Sequence, residues 1–213
     1  MRVSPLRILR TATTLALTVF FPAAALLAQQ GATRTEKDLL GEKQVPANAY
    51  YGVQTARALE NFQLSGIPIN HYPEFIDAWA IVKLAAAQAN TDVGAMKPER
   101  LAAIEKAAQA VRDGKYQNQF TVDWYQGGAG TSTNMNANEV LANVGLELTG
   151  HKKGEYQFLE PHDDLNMSQS TNDSYPTAIK VALILRNDKL VEDRKSTRLN
   201  SSHLKLSRMP SSA

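Results

Sequence analysis

Cysteine is absent from this 213-residue chain, which excludes disulfides, thiolate nucleophiles and thiolate metal sites together. Histidine is scarce, with 4 in all, so no zinc or other metal site is expected. Aromatic residues make up 7% of the chain, and no basic stripe interleaved with them offers a platform for nucleic acid. The formal net charge of +2 does not reopen that question, because the positive charge sits at the two ends. Between residues 11 and 192 the chain holds 15 Lys and Arg against 20 Asp and Glu, a mildly acidic middle. Internal repeats are absent as well.

Both ends differ from this middle. Met1 to Arg10 is basic, Thr11 to Ala28 is uncharged and rich in Ala, Leu, Val and Phe, and small residues at Ala23, Ala24, Ala25 and Ala28 precede polar Gln29 and Gln30. That is the grammar of a secretory signal peptide over residues 1–28, and Pro22 interrupts a run already short for a spanning helix. A periplasmic or secreted product is expected, with no membrane partner after signal removal. Cleavage is expected near Ala25 or Ala28, the alternatives being an uncleaved anchor or a misplaced start codon, the latter leaving the protein cytoplasmic. At the other end, Asp193 to His203 and Ser207 to Ala213 look like translated pieces of a sequencing-library adapter. Residues 193–213 are therefore expected to be an artefact, with the natural reading frame continuing beyond Glu192. The alternative is a natural, disordered basic tail.

Between the ends the periodicity is mostly helical. Turns are expected at Gly41, Val45-Pro46 and Tyr51-Gly52, and a short helix from Thr55 to Phe62. Ile67 and Ile69 are read as packing residues in a loop marked by Pro68 and Pro73. Phe75, Ile76, Trp79, Val82, Lys83, Ala86 and Ala89 recur at helical spacing over Glu74–Thr91, and this stripe is assigned to core packing. A second helix runs from Pro98 to Asp113 and stops at Gly114, with proline at its start and glycine past its end. A third is expected from Thr131 to Leu148, closed by Gly150. A surface loop, Lys152 to Asp164, is read to contain a solvated Asp163-Asp164 turn. His71, His151 and His162 are read as surface residues. The last helix should begin near Asp173, tolerate Pro176 in its first turn and run toward Val191. Ala178, Val181, Ala182, Ile184 and Leu185 make it apolar over much of its circumference, so it should be buried on several sides.

Two polar stretches precede helices: Gly127 to Asn136, with glycines at 127, 128 and 130, and Ser168-Gln169-Ser170-Thr171-Asn172-Asp173. Each offers hydroxyls, amides and free backbone N–H groups where the helix dipole favours an anion. Two such entrances suggest a ligand with more than one carboxylate or phosphate. The glycine run is neither a P-loop, since no Lys-Ser/Thr follows at the required spacing, nor a dinucleotide fingerprint, since no Val/Ile-rich strand feeds it.

The longer strings carry a family resemblance. Asp123-x-Tyr-Gln-Gly-Gly-Ala-Gly-Thr-Ser-x-Asn-Met-Asn-x-Asn-Glu-Val resembles the first signature of the aspartase/fumarase superfamily, and Asn166 to Asp173 the second. Asp38 to Gly41 and Val45 to Thr55 resemble that family's N-terminal lead-in. Within it, Gly-Gly-Ala-Gly-Thr-Ser and Gln-Ser-Thr-Asn-Asp are similar to the aspartate ammonia-lyases, class II fumarases being the alternative. The resemblance implies a mainly α fold, with residues 29–165 as an N-terminal lyase domain and 166–192 as the start of the first central-bundle helix. It implies reversible deamination of L-aspartate to fumarate through an aci-carboxylate, without a cofactor, in a homotetramer whose active sites are shared among subunits. Carried over residue by residue, Thr131, Ser170, Thr171 and Asn172 bind the small dicarboxylate, with Ser132 and Asn136 in support. The catalytic base of these enzymes, a serine on a glycine-rich loop, is implied to lie beyond this chain. A non-catalytic dicarboxylate-binding piece is the remaining alternative for the chain as it stands.

Overall fold

The computed structural model describes residues 31–126 and 130–206, with side chains through residue 197. The expected signal peptide, Gly127, Gly128 and Ala129 of the first polar stretch, and residues 207–213 of the expected tail lie outside the described residues.

Two strands, β1 (Thr33–Asp38) and β2 (Gly41–Pro46), form an antiparallel hairpin with Thr33 opposite Pro46 and Asp38 opposite Gly41. Gly41 has φ +112°, a conformation open to glycine, and Asp38 Oδ1 accepts the Leu40 N–H at 2.9 Å. Only the turn was predicted. The strands show no apolar alternation because the side chain that β1 buries is Glu36.

Helix α1 spans Val53–Asn61, beginning two residues before the sequence expectation. Helices α2 (Pro73–Asp92) and α3 (Pro98–Arg112) each place proline in the first turn, where its missing N–H costs nothing. Helix α4 spans Thr131–Leu148, as expected. Two short 3-10 turns, Ile69–His71 and Gln117–Gln119, shape the connections. Ile69 is buried whereas Ile67 is exposed, because the chain pairs backbone to backbone here. Ile69 N donates to Val122 O and Trp124 N to Ile67 O, which leaves the Ile67 side chain facing out.

Helix α5 runs Thr171–Leu206, well past the expected end near Val191 and through most of the residues read as a tail. α2 packs against α3 and α5, and α4 against α3 and α1. The core between them gathers Ile76 and Trp79 of α2, Ile104 and Val111 of α3, and Val140, Leu141 and Val144 of α4, with Phe120, Val122 and Leu165 from loops. Each such fully buried aliphatic or Phe side chain contributes roughly 1.5–3 kcal/mol. Small residues set the α3–α4 distance: a Cβ at Gly145 would lie 3.0 Å from the Ala103 carbonyl oxygen.

α5 meets α2 along one side only. Ala178 is buried, and Arg186 and Lys189 pair with Glu74 at 3.0 and 2.9 Å. Lys189 foremost holds the Glu74 carboxyl down at about 2. Leu183 and Ile184, by contrast, are 65% and 71% exposed. Burial of this helix on several sides is therefore not met among the described residues.

Candidate substrate-binding site

Asp123 organises the approach to the site. Its carboxylate accepts the N–H groups of Ser65, Gly66 and Tyr125 and the Ser65 hydroxyl, all at 2.8–2.9 Å. Burial works to raise this carboxyl, and those donors together overcome it and hold it below its usual value. Trp124 and Tyr125 are thereby fixed beside α4. Trp124, Phe75 and Tyr175 meet edge to face, with Phe75–Tyr175 centroids 6.0 Å apart. This aromatic wall brings the first turn of α5 against Gly130, whose φ is +85°. A Cβ there would stand 2.3 Å from the Tyr175 ring.

The result is an open cleft of about 630 Å³ between the two helix starts, lined by Trp124, Gln126, Gly130, Asn172, Tyr175 and Ile179 among others. Both N-termini lend it positive potential. Thr131 is exposed on the first turn of α4, and Ser132 beside it is half-buried. At the other helix start, Ser170 caps α5. Its Oγ accepts the Asn172 N–H at 3.2 Å, and its own N–H donates to Asp173 Oδ2 at 2.9 Å, a reciprocal capping box. Thr171 is half-buried and Asn172 exposed. Asn136 stands apart: it is fully buried and donates to the Gln119 carbonyl at 3.1 Å, holding the turn that precedes Asp123.

Beneath the cleft lies a polar knot that the helical stripe concealed. Lys83 of α2 is 1% exposed. Its Nζ donates to Asn134 Oδ1 at 2.6 Å, Gln169 Oε1 at 2.9 Å and Asn166 Oδ1 at 3.1 Å. Burial pushes its pKa down to about 7, with the Asp173 charge pulling the other way. Asn134 Nδ2 in turn donates to Asn166 Oδ1 at 2.8 Å and Thr171 Oγ1 at 3.2 Å. Asn134 and Gln169 lie inside the two polar stretches, and Asn166 opens the second family signature. For Lys83 the signal was available, since a lysine on an apolar face needs buried partners.

The 160–165 turn differs from its reading. Asp163 is exposed, but Asp164 is 1% exposed. It pairs with Arg100 of α3 and accepts the Glu160 N–H at 2.8 Å. Its partner is remote in sequence, so adjacency to Asp163 could not disclose it. Glu160, His162 and Asp163 bring three ligand-type atoms within 4.8 Å of one another on the surface. His162 stands exposed there, as expected, and His151 is half-buried, stacked on Phe158 at 3.9 Å.

Comparison with known proteins fits this arrangement. A family model described as Lyase matches residues 41–200. Aspartate ammonia-lyase of Pseudomonas fluorescens is 54% identical over 167 residues, covering 78% of this chain and 35% of that protein. The enzyme of the same name from Escherichia coli (strain K12) is 53% identical over 160 residues, covering 75% and 34%. The fold is similar to a solved fumarate lyase:delta crystallin from Brucella melitensis, with TM-score 0.72 and 52% identity over 73% of this chain and 35% of that one. It is similar also to recombinant class II fumarase from Schistosoma mansoni, with TM-score 0.67 and 35% identity over 71% and 32%. The chain thus spans about a third of the length of the curated relatives it matches. Its mainly α architecture, its two signature stretches at adjoining helix starts and these matches agree, and the chain belongs to the lyase family, within the aspartase/fumarase superfamily.

Proposed function

We propose that this chain supplies part of the substrate site of an aspartate ammonia-lyase, which converts L-aspartate to fumarate and ammonia. One observation carries the reading: Gly130 and Asn172, from separate helix starts, line a single cleft, with Thr171 tied to the first start through Asn134. Higher identity to relatives named aspartate ammonia-lyase than to the fumarase supports aspartate over malate.

In this reaction the proton on the carbon beside the side-chain carboxylate leaves first. The electron pair of that C–H bond moves into the carboxyl group, which becomes a doubly negative aci-carboxylate. The pair then forms the C=C bond as the C–N bond breaks and ammonia departs. Donors fixed before the reaction and aimed at those oxygens lower the barrier, and losing one typically costs about 3–4 kcal/mol. Thr131, Ser170, Thr171 and Asn172 are such donors, and the two helix N-termini add to their field. Ser132 and Asn136 support them, Asn136 from within the core. No residue of this chain is assigned as the proton acceptor. The part read for this chain is to hold the diacid.

The exposed apolar residues of α5 support assembly through that helix, as a homotetramer. The basic and apolar residues at the N-terminus support export, testable by fractionating cells that express the gene. The reaction itself is tested by an ammonia-release assay on the complete gene product with L-aspartate. Ammonia release lost on Thr171→Ala supports the reading; fumarate hydration without ammonia turnover overturns it.

A further inference from the structure

As an ammonium, Lys83 offers only donors and has no acceptor. Each amide touching it must present its oxygen, and the three that do are Asn134, Asn166 and Gln169. The orientation of Asn134 is thereby decided. With Oδ1 held by Lys83, and also accepting the Ser174 hydroxyl at 3.3 Å, its Nδ2 is turned outward onto Thr171 Oγ1. The Thr171 hydroxyl, now an acceptor on its inner side, is left with its own O–H to donate. Among the described residues it donates to none. Thr171 is half-buried in the first turn of α5, and its neighbour Asn172 lines the cleft.

We infer that Lys83 is a positioning residue that fixes the hydrogen-bond polarity of the site: Lys83 orients Asn134, and Asn134 orients Thr171 so that its hydroxyl donates to a ligand carboxylate. The inference rests on the diacid reading of the cleft. A hydroxyl that accepts one bond while donating another is a stronger donor than a free one, so the buried charge reaches the ligand without touching it. The same three bonds join α2, the first turn of α4 and the turn before α5, which keeps the two helix starts in register.

Fumarate is titrated into the 213-residue chain below pH 7, where Lys83 is an ammonium, and calorimetry reports binding, since Trp79 against Lys83 would confuse a fluorescence signal from Trp124. Four proteins are compared: wild type, Thr171→Ala, Lys83→Met and the double variant. A hydrogen bond to a charged ligand is worth about tenfold or more in affinity. Thr171→Ala and Lys83→Met should each weaken binding about tenfold, and the double variant about tenfold in total rather than a hundredfold. A role confined to stability would leave the two effects independent, so the losses would multiply.

Asn134→Asp gives a second path if Lys83→Met does not fold. Its carboxylate still pairs with Lys83 but can only accept, so Thr171 must donate inward. Binding should fall, and adding Thr171→Ala should then change nothing further. Were the loss a matter of charge alone, Thr171→Ala would still cost its usual factor in that background, and the inference would fail. Fumarate binding that depends on Thr171 but is indifferent to both Lys83→Met and Asn134→Asp overturns the inference alone. Binding indifferent to Thr171, or no binding by wild type at saturating fumarate, overturns the site reading and the inference with it.

Discussion

Gly52 and Glu139 share one small volume. The Gly52 N–H donates to Glu139 Oε2 at 2.8 Å, and a Cβ on Gly52 would stand 2.9 Å from the Glu139 carboxyl and 2.5 Å from Glu36 Oε2. Gly52 has φ −116°, a conformation any residue adopts, so what forbids a side chain here is space. Gly52→Ala should therefore destabilise the chain by about 2 kcal/mol, read by urea denaturation. Shortening the neighbour with Glu139→Asp in the Gly52→Ala background should recover part of the loss. If Gly52→Ala is neutral, the two carboxylates do not crowd this corner.

Glu139 also sets a pH dependence. It is fully buried and accepts the N–H groups of Gly52, Gln54 and Thr55 at the start of α1. Burial raises its pKa to about 7, against the pull of those donors. The folded form then binds more protons than the unfolded one between the ordinary value of 4.5 and about 7. Its contribution is fully present below 4.5 and falls away as pH rises through 7. A shift of this size corresponds to about 3 kcal/mol. Wild type should lose stability between pH 5 and 8 relative to Glu139→Gln, followed by urea midpoints at each pH. Parallel curves would show that the carboxyl is already ionised at the lower pH.

The helices were legible in the sequence because their faces repeat at 3.6 residues and proline or glycine marks their ends. α4 was placed to the residue for that reason. The hairpin was not, because Glu36 faces inward where a strand pattern needs an apolar residue, and its partners Val53 and Tyr156 are distant in the chain. The two helix starts of the site were legible through their Ser, Thr, Asn and Gly content. What sequence spacing could not convey is which side chains meet. Lys83 entered the reading as one position in a packing stripe, and Asp164 as half of a solvated pair, although each is buried against partners from another segment.

Arg100 and Asp164 give the turn before α5 its anchor on α3. The Asp164 side chain is fully buried while Arg100 is 32% exposed. Removing the arginine strands a buried carboxylate, which costs about 3–5 kcal/mol for a fully buried pair and less where one partner reaches solvent. Arg100→Met should thus destabilise by about 2–3 kcal/mol, measured by thermal and urea melts. Arg100→Met with Asp164→Leu should be more stable than Arg100→Met alone, since no unpaired charge remains. Because Gln169 Nε2 donates to the Leu165 carbonyl at 3.0 Å, loosening this turn should also weaken fumarate binding.

Gly130 and Gly94 separate two costs that glycine avoids. Both have positive φ, +85° and +76°, but a Cβ at Gly94 meets nothing while one at Gly130 meets the Tyr175 ring. Gly94→Ala should cost only the left-handed conformation, about 1–2 kcal/mol. Gly130→Ala should cost more and should reduce fumarate affinity, because Tyr175 must leave the cleft wall. Equal losses in the two variants, with affinity unchanged, would show that the α4–α5 contact is not tight.

Ile184 tests the assembly proposed through α5. It is 71% exposed, with Leu183, Leu185, Leu190 and Val191 exposed nearby on the same helix. Apolar side chains clustered in this way mark an interaction surface more often than free solvent. The chain should self-associate in sedimentation velocity, and Ile184→Glu should shift it toward monomer. The monomer itself should be little affected, within about 0.5 kcal/mol, as for other exposed positions. If wild type is monomeric at every concentration, or if Ile184→Glu associates as wild type does, this face of α5 is not where copies meet.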